Sequence, residues 1–225
     1  MIAVFGGLGA ALAWTVAALC SARSTRMIGS WSTLAWAMLI GLVVVGPMVL
    51  GSGTAPPDGI TWSWLVLSGA GNVIGLLLVG RGFRVGAVVI VGPIVSTEGA
   101  IAAIVSVAAG EPLSVVAGVL LGAILVGVAM VAAANPDGPH EDRMGVTHTT
   151  AATVYAVLAA MCFGLALYAT GRVGDSLPAS WAVLPARLLG VVVVAIPLLA
   201  MSRLRLTRQA VPFVLAVGLA EVVGI

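Results

Sequence analysis

The sequence predicts an all-α polytopic membrane protein, and three observations carry that prediction: its composition, the length of its apolar runs, and their lack of alternation. Apolar residues fill 61% of the 225 positions and charged residues 8%, against roughly half and a quarter in an ordinary soluble domain. The apolar residues gather in runs of about twenty, the length a helix needs to cross a hydrocarbon core roughly 30 Å thick. Lipid offers the backbone no hydrogen-bond partners, which leaves helices or a closed barrel as spanning structures, and the runs lack the period-two pattern of barrel strands.

Helices are expected at about 2–22, 30–50, 61–82, 87–109 and 114–134, each bounded by Gly, Pro or charge. The first run has no basic residue before it and no clear cleavage site, and Leu19 before Cys20 spoils a lipoprotein-type site. It therefore reads as a spanning helix of the mature chain. The stretch from Asn135 to Arg143 is the most polar and turn-rich of the sequence and is the natural linker. Helices follow at about 149–171 and 179–201, and an eighth starts near Gln209 and is still running at Ile225. The expected organisation is a five-helix block over 1–134, a linker over 135–148, and a second block over 149–225.

The two blocks resemble each other internally. Ser30-Trp31-Ser32-Thr33-Leu34 can be laid on Ser180-Trp181-Ala182-Val183-Leu184 at an offset of 150, which also pairs Pro47 with Pro197. An offset of 149 pairs Gly69, Asn72, Val73 and Gly75 with Gly218, Glu221, Val222 and Gly224. The eighth helix thus reads as a second copy of the third. The expectation is an inverted repeat of five transmembrane helices whose second copy is truncated, with about eight helices present and ten in a complete parent.

Arginine supplies a separate argument, because an odd repeat makes the second copy enter the bilayer from the opposite side. The ten basic residues are all arginine. Loop one-two carries Arg23 and Arg26, and its counterpart six-seven carries Arg172 with Asp175 to offset it. Loop two-three carries none, and its counterpart seven-eight carries Arg203, Arg205 and Arg208. With Arg81, Arg84 and Arg143 added, every interfacial arginine but Arg172 falls on one face. The positive-inside rule makes that face cytoplasmic and puts the N-terminus outside, in a cytoplasmic membrane of bacterial type.

The third to fifth helices carry a pattern: Leu67-Ser68-Gly69-Ala70-Gly71, then Gly86 to Glu98 with Gly92-Pro93 inside it, then Gly110-Glu111-Pro112-Leu113 and Gly118-Val119-Leu120-Leu121-Gly122. The ordered set resembles the first half of an EamA-type member of the drug/metabolite transporter superfamily. Trp14 after Ala10-Ala11-Leu12-Ala13, and the intramembrane Arg187, resemble the family's helix-one tryptophan and helix-two arginine. The resemblance implies ten helices in two inverted repeats around a cavity open alternately to each side. It implies secondary transport of small organic solutes or metabolites, often coupled to protons, with solute and bilayer as the partners. The sequence departs from the family pattern by stopping in its eighth helix and by an arginine bias opposite to the orientation drawn for better-known members.

Glu98 is the first candidate residue, because an ionised carboxylate in hydrocarbon costs several kcal/mol unless it pairs, meets water or protonates. It lies about a turn beyond Pro93, whose missing N–H frees a backbone carbonyl nearby. Facing a cavity, Glu98 would bind a cationic group or carry a coupling proton; the structural alternative is an interhelical hydrogen bond. Arg187 and Glu221 are the other intramembrane charges, as an ion pair or as solute ligands. Asn72 sits at the repeat position of Glu221 and reads as a cavity amide or an interhelical hydrogen bond. Trp14 lies deep enough to stack on a solute, whereas Trp31, Trp62, Trp64 and Trp181 near helix starts read as an interfacial belt. Pro93, Pro47 and Pro197 are the expected kinks. Gly71 with Gly75, and Gly118 with Gly122, have the spacing of close helix packing in lipid.

Other chemistries have little support. The glycines around Gly69 to Gly75 follow no strand and do not form a dinucleotide loop. Cys20 and Cys162 have no partner at metal spacing, and His140, Glu141, Asp142 and His148 read as a solvated linker, so no metal or cofactor is expected. A net charge of +2 does not point to nucleic acid. No nucleophile, base and oxyanion-donor set can be assembled, so the chain does not read as an enzyme. The alternative to a carrier is a helical membrane scaffold or sensor whose buried charges only fix helix pairing.

Overall fold

A computed structural model of the chain describes residues 2–86, 88–133, 146–174 and 176–224, and residues 135–145 of the expected linker lie outside them. The elements are α1 (Ile2–Ile28), α2 (Ser30–Gly51), α3 (Gly59–Val85), α4 (Val88–Val95), α5 (Glu98–Ala108), α6 (Val115–Ala133), α7 (Val146–Gly171), α8 (Ala179–Gly190), α9 (Ile196–Ala200) and α10 (Val211–Val223). A π-helical turn, Val191–Ala195, joins α8 to α9. No strand occurs among the described residues. Five helical stretches there are long and apolar enough to cross a bilayer. Large apolar side chains such as Leu50, 87% exposed, and Val115, 83% exposed, face outward, as lipid-dissolved helices require.

Helix boundaries follow local chemistry. Gly29, at φ +88°, turns the chain between α1 and α2 in a conformation that side chains rarely adopt. The Asp58 carboxylate accepts from Thr61 N at 2.8 Å and caps α3. Those bonds hold this loop carboxyl below its ordinary pKa. Helix α7 begins at Val146, three residues before the expected start and inside the expected linker.

Two expected helices are interrupted. The fourth breaks at Ser96–Thr97, three residues past Pro93, so that Glu98 opens α5. There Ser96 Oγ donates to Gly92 O at 3.0 Å and Thr97 Oγ1 to Ile94 O at 2.7 Å, each beside the backbone N–H of the same residue, which donates to the same carbonyl. The seventh is interrupted by the π turn, directly before Pro197 at the start of α9. Pro47, by contrast, lies inside a continuous α2.

Packing rests on small residues. Along α3, a Cβ on Gly71 would sit 2.7 Å from the Cys162 carbonyl of α7, and one on Gly75 would sit 2.5 Å from the Phe163 ring. Helix α1 packs on α10 in the same way, where a Cβ on Gly224, just beyond α10, would meet the Trp14 ring at 3.0 Å. Helix α2 lies against α8 and α10. It runs antiparallel to α8–α9: Arg205 N donates to Ser32 Oγ at 3.2 Å at one end, and Val45 and Val49 pack on Trp181 and Val183 at the other.

The expected packing of Gly118 and Gly122 is not found. Gly122 has open space beside it, and a Cβ on Gly118 would meet only Leu113, two residues before its own helix, at 3.7 Å. Helix α6 touches α4 and α5 only lightly, and Gly118 and Gly122 abut no other helix among the described residues. Trp181, expected in an interfacial belt, does not face outward; it is buried, edge-on to Trp62 with ring centroids 6.2 Å apart. Gly71→Val should therefore lower stability by about 1–3 kcal/mol through overpacking, read as a drop in thermal midpoint in detergent. Gly122→Val should leave the midpoint unchanged.

Candidate functional site

The centre of the bundle holds a buried ion pair. Arg187 Nη1 donates to Glu221 Oε2 at 2.6 Å, Nη2 reaches the Glu221 carbonyl at 3.3 Å, and both residues are 3% exposed. Nη1 also lies 3.6 Å from Met38 Sδ. Arg187 Nε is buried without a protein partner. The pair unites α8 with α10 and lies against α2, where glycine makes room. A Cβ on Gly41 would be 2.7 Å from Arg187 Cδ and Nε, and one on Gly190 would collide with Met38.

A cavity of about 140 Å³ opens beside this pair, and Trp14, Asn72, Glu98, Arg187 and Glu221 all line it. The five intramembrane candidates taken from the sequence are thus brought together from α1, α3, α5, α8 and α10. A second space of about 470 Å³ shares Trp14, Glu98, Phe163 and Glu221 with the first, so the two adjoin. Together they are large enough for a small organic solute.

Within the cavity the two acids differ. Glu221 is neutralised by Arg187, whereas the Glu98 carboxylate makes no hydrogen bond or ion pair with a described residue. The break before α5 aims the Glu98 backbone at the α7 surface, where a Cβ on Gly164 would be 3.0 Å from the Glu98 carbonyl. Trp14 is 39% exposed and donates from Nε1 to Gly224 O at 3.1 Å, which fixes its ring at the cavity wall.

Ser68, Thr170 and Phe163 also line the cavity and were not singled out from the sequence. Ser68 Oγ and Thr170 Oγ1 are 2.6 Å apart and tie α3 to α7. Their signal is positional: Ser68 is one turn before Asn72, and Phe163 and Thr170 are two turns apart on one face. Arg172, the arginine expected on the opposite face, pairs with Glu111 at 3.0 Å and donates to Tyr168 Oη at 2.6 Å. Its expected counter-charge, Asp175, lies outside the described residues. So do His140, Glu141 and Asp142, and no metal-capable cluster occurs among those described.

A cavity with an ion pair, an unpaired carboxylate and a pinned tryptophan, set among apolar helices, suits solute binding within a membrane. The sequence profile of the EamA-like transporter family matches residues 1–133, more than half of the chain. The chain belongs to the EamA-like transporter family. It is accordingly an integral membrane protein of the drug/metabolite transporter superfamily. No curated protein and no solved structure matches it. The matched residues supply Trp14, Asn72 and Glu98 of this EamA-like cavity, and the remainder supplies Arg187 and Glu221.

Removing one partner of the buried pair leaves an uncompensated charge, so Arg187→Met or Glu221→Gln alone should each cost about 3–5 kcal/mol of stability. The double variant should recover most of that loss. A double-mutant cycle on thermal or denaturant unfolding in detergent checks both statements.

Proposed function

We propose that the protein is a secondary carrier that moves a small organic solute by alternating access, with the solute held in the cavity between Trp14, Glu98 and the Arg187–Glu221 pair. The observation that carries this reading is the unpaired Glu98 carboxylate on a cavity walled by helices from both parts of the chain. Such a charge is costly unless it meets a cation. A protonated amine on the solute or a coupling proton satisfies it equally well, and Trp14 adds an aromatic face for a cationic group.

We further infer that the two parts are inverted copies of one five-helix unit. Reciprocal contacts support this. Gly75 abuts Phe163 as Gly224 abuts Trp14; Gly69 abuts Ala186 and Leu189 as Gly218 abuts Ala37 and Ile40; Gly41 abuts Arg187 as Gly190 abuts Met38. Each exchange uses an offset of 149, and so do the starts of α2 at Ser30 and α8 at Ala179. The register through the middle of these helices is therefore 149, one less than the Ser30–Ser180 alignment. The π turn absorbs one added residue, after which Pro47 and Pro197 pair at 150. The exchange also relates Met38 and Asn72 to Arg187 and Glu221, so the ion pair occupies one of two equivalent places.

The arginines support an orientation. Arg26, Arg84, Arg203 and Arg205 line one recess of about 800 Å³. We assign that face to the cytoplasm by the positive-inside rule.

Reconstituted into proteoliposomes and offered a panel of labelled amines, amino acids and organic acids, the protein should give saturable flux of at least one of them. Glu98→Gln should lower that flux by about tenfold or more and flatten its pH dependence. Unchanged rate and pH dependence would remove Glu98 from the mechanism. No flux for any solute would favour a scaffold.

A further inference from the structure

We propose that a hydroxyl-lined site between Glu221 and the arginine-rich face takes up water and gives Glu221 proton access from that face alone. The proposal rests on the carrier reading for its purpose and on four observations for its geometry. The first is a pair of buried, unpartnered hydroxyls. Thr25 and Thr33 are each 2% exposed, and the Oγ1 of each lacks a hydrogen-bond partner. In an apolar bundle such a group costs roughly 1–3 kcal/mol unless something bonds to it.

The second observation is that both threonines line one small cavity of about 10 Å³, together with Ser21, Ser30 and Glu221. That is close to the least volume that admits a water molecule, and a water needs two to four polar partners. The threonine hydroxyls, the serines and the carboxylate supply them. The third is continuity: Thr25 and Ser30 also line the recess of about 800 Å³ that holds Arg26, Arg84, Arg203 and Arg205. Polar groups thus run from that recess to Glu221, which in turn faces the central cavity.

The fourth is one-sidedness. In the 149 register the positions of Thr25 and Thr33 are held by Gly174 and Ala182, which have no hydroxyl. Ser21 corresponds to Thr170, whose Oγ1 already bonds Ser68 and donates to Ala166 O at 2.9 Å. Among the described residues the equivalent positions therefore offer no unpartnered hydroxyls toward the Arg172 side. The charged group in contact with Glu221 is Arg187, and Glu98 is the other titratable group on the same cavity. A proton delivered through the site to the Glu221 carboxylate gives the neutral acid and frees the Arg187 guanidinium. Solute binding at the cavity then draws on an arginine whose counter-charge is switched from the arginine-rich side.

The passage is tested on the full chain in sealed proteoliposomes. The carrier of the test is a Cys20→Ala/Cys162→Ala background with Thr33→Cys, and with Thr25→Cys as a second position. Silver ion, close to water in size and reactive with thiols, is the probe, and protection of the thiol from later alkylation after denaturation is the readout. Reaction should be about tenfold or more faster from the arginine-rich face, since the recess on that side reaches Thr25 directly, whereas the other route must pass the Arg187 guanidinium. Equal or slower reaction from that face overturns the proposal whether or not any solute is transported. If the flux panel finds a solute, Thr25→Val/Thr33→Val should lower the ratio of pH-gradient-driven accumulation to solute exchange by about tenfold or more. An unchanged ratio overturns the proton role. Absence of all flux sinks the carrier reading instead.

Discussion

The constraint on which the structure turns is the burial of a guanidinium in a bundle dissolved in lipid. Arg187 is 3% exposed, and a charge at that depth persists only if a counter-charge and close packing accompany it. Glu221 supplies the first, from a helix 34 residues further along the chain. Glycine supplies the second. Gly41 leaves space that any larger residue would take from the Arg187 side chain, and Gly190 does the same for Met38. The approach of α2, α8 and α10 is thus set by one ion pair and the small residues around it. The cavity is what remains where α1, α3, α5 and α7 complete the ring.

Among the described residues, the irregular backbone within the spans lies beside these charges. The break at Ser96–Thr97 puts Glu98 at the head of α5, and the π turn begins four residues after Arg187. Lipid tolerates such departures only where protein or a water-filled cavity satisfies the freed groups. At the break Ser96 and Thr97 keep their backbone N–H groups bonded to Gly92 and Ile94 and add their hydroxyls to the same carbonyls. A proton or solute that alters the charge state of Glu98 or Glu221 therefore acts where the helices are already divided. In an alternating-access reading these are the places to bend.

Much of this was legible in the sequence for a single physical reason. Charge, amide and deep aromatic side chains are expensive in a hydrocarbon run, so Trp14, Asn72, Glu98, Arg187 and Glu221 stood out individually, and the fold gathers all five. The segment boundaries were legible from Gly, Pro and Arg. The π turn was not, because a one-residue slip inside Val191-Val192-Val193-Val194 leaves no mark in composition. The idle glycines of α6 show a different limit: small residues four apart say that a helix can approach, not that one does. Thr25 and Thr33 were passed over because a threonine in a helix ordinarily bonds its own backbone. Only the structure reveals that these two do not.

The account stands or falls on the inversion of the two halves. Ser52 follows α2 and Ser202 follows α9; both are exposed, and they are equivalent positions in the 150 register. Labelling of Ser52→Cys and Ser202→Cys with a membrane-impermeant maleimide, each in a Cys20→Ala/Cys162→Ala background in sealed, uniformly oriented vesicles, tests it directly. The account predicts that the two positions react from opposite sides of the membrane, Ser202→Cys from the arginine-rich side. Reaction of both from the same side would contradict it.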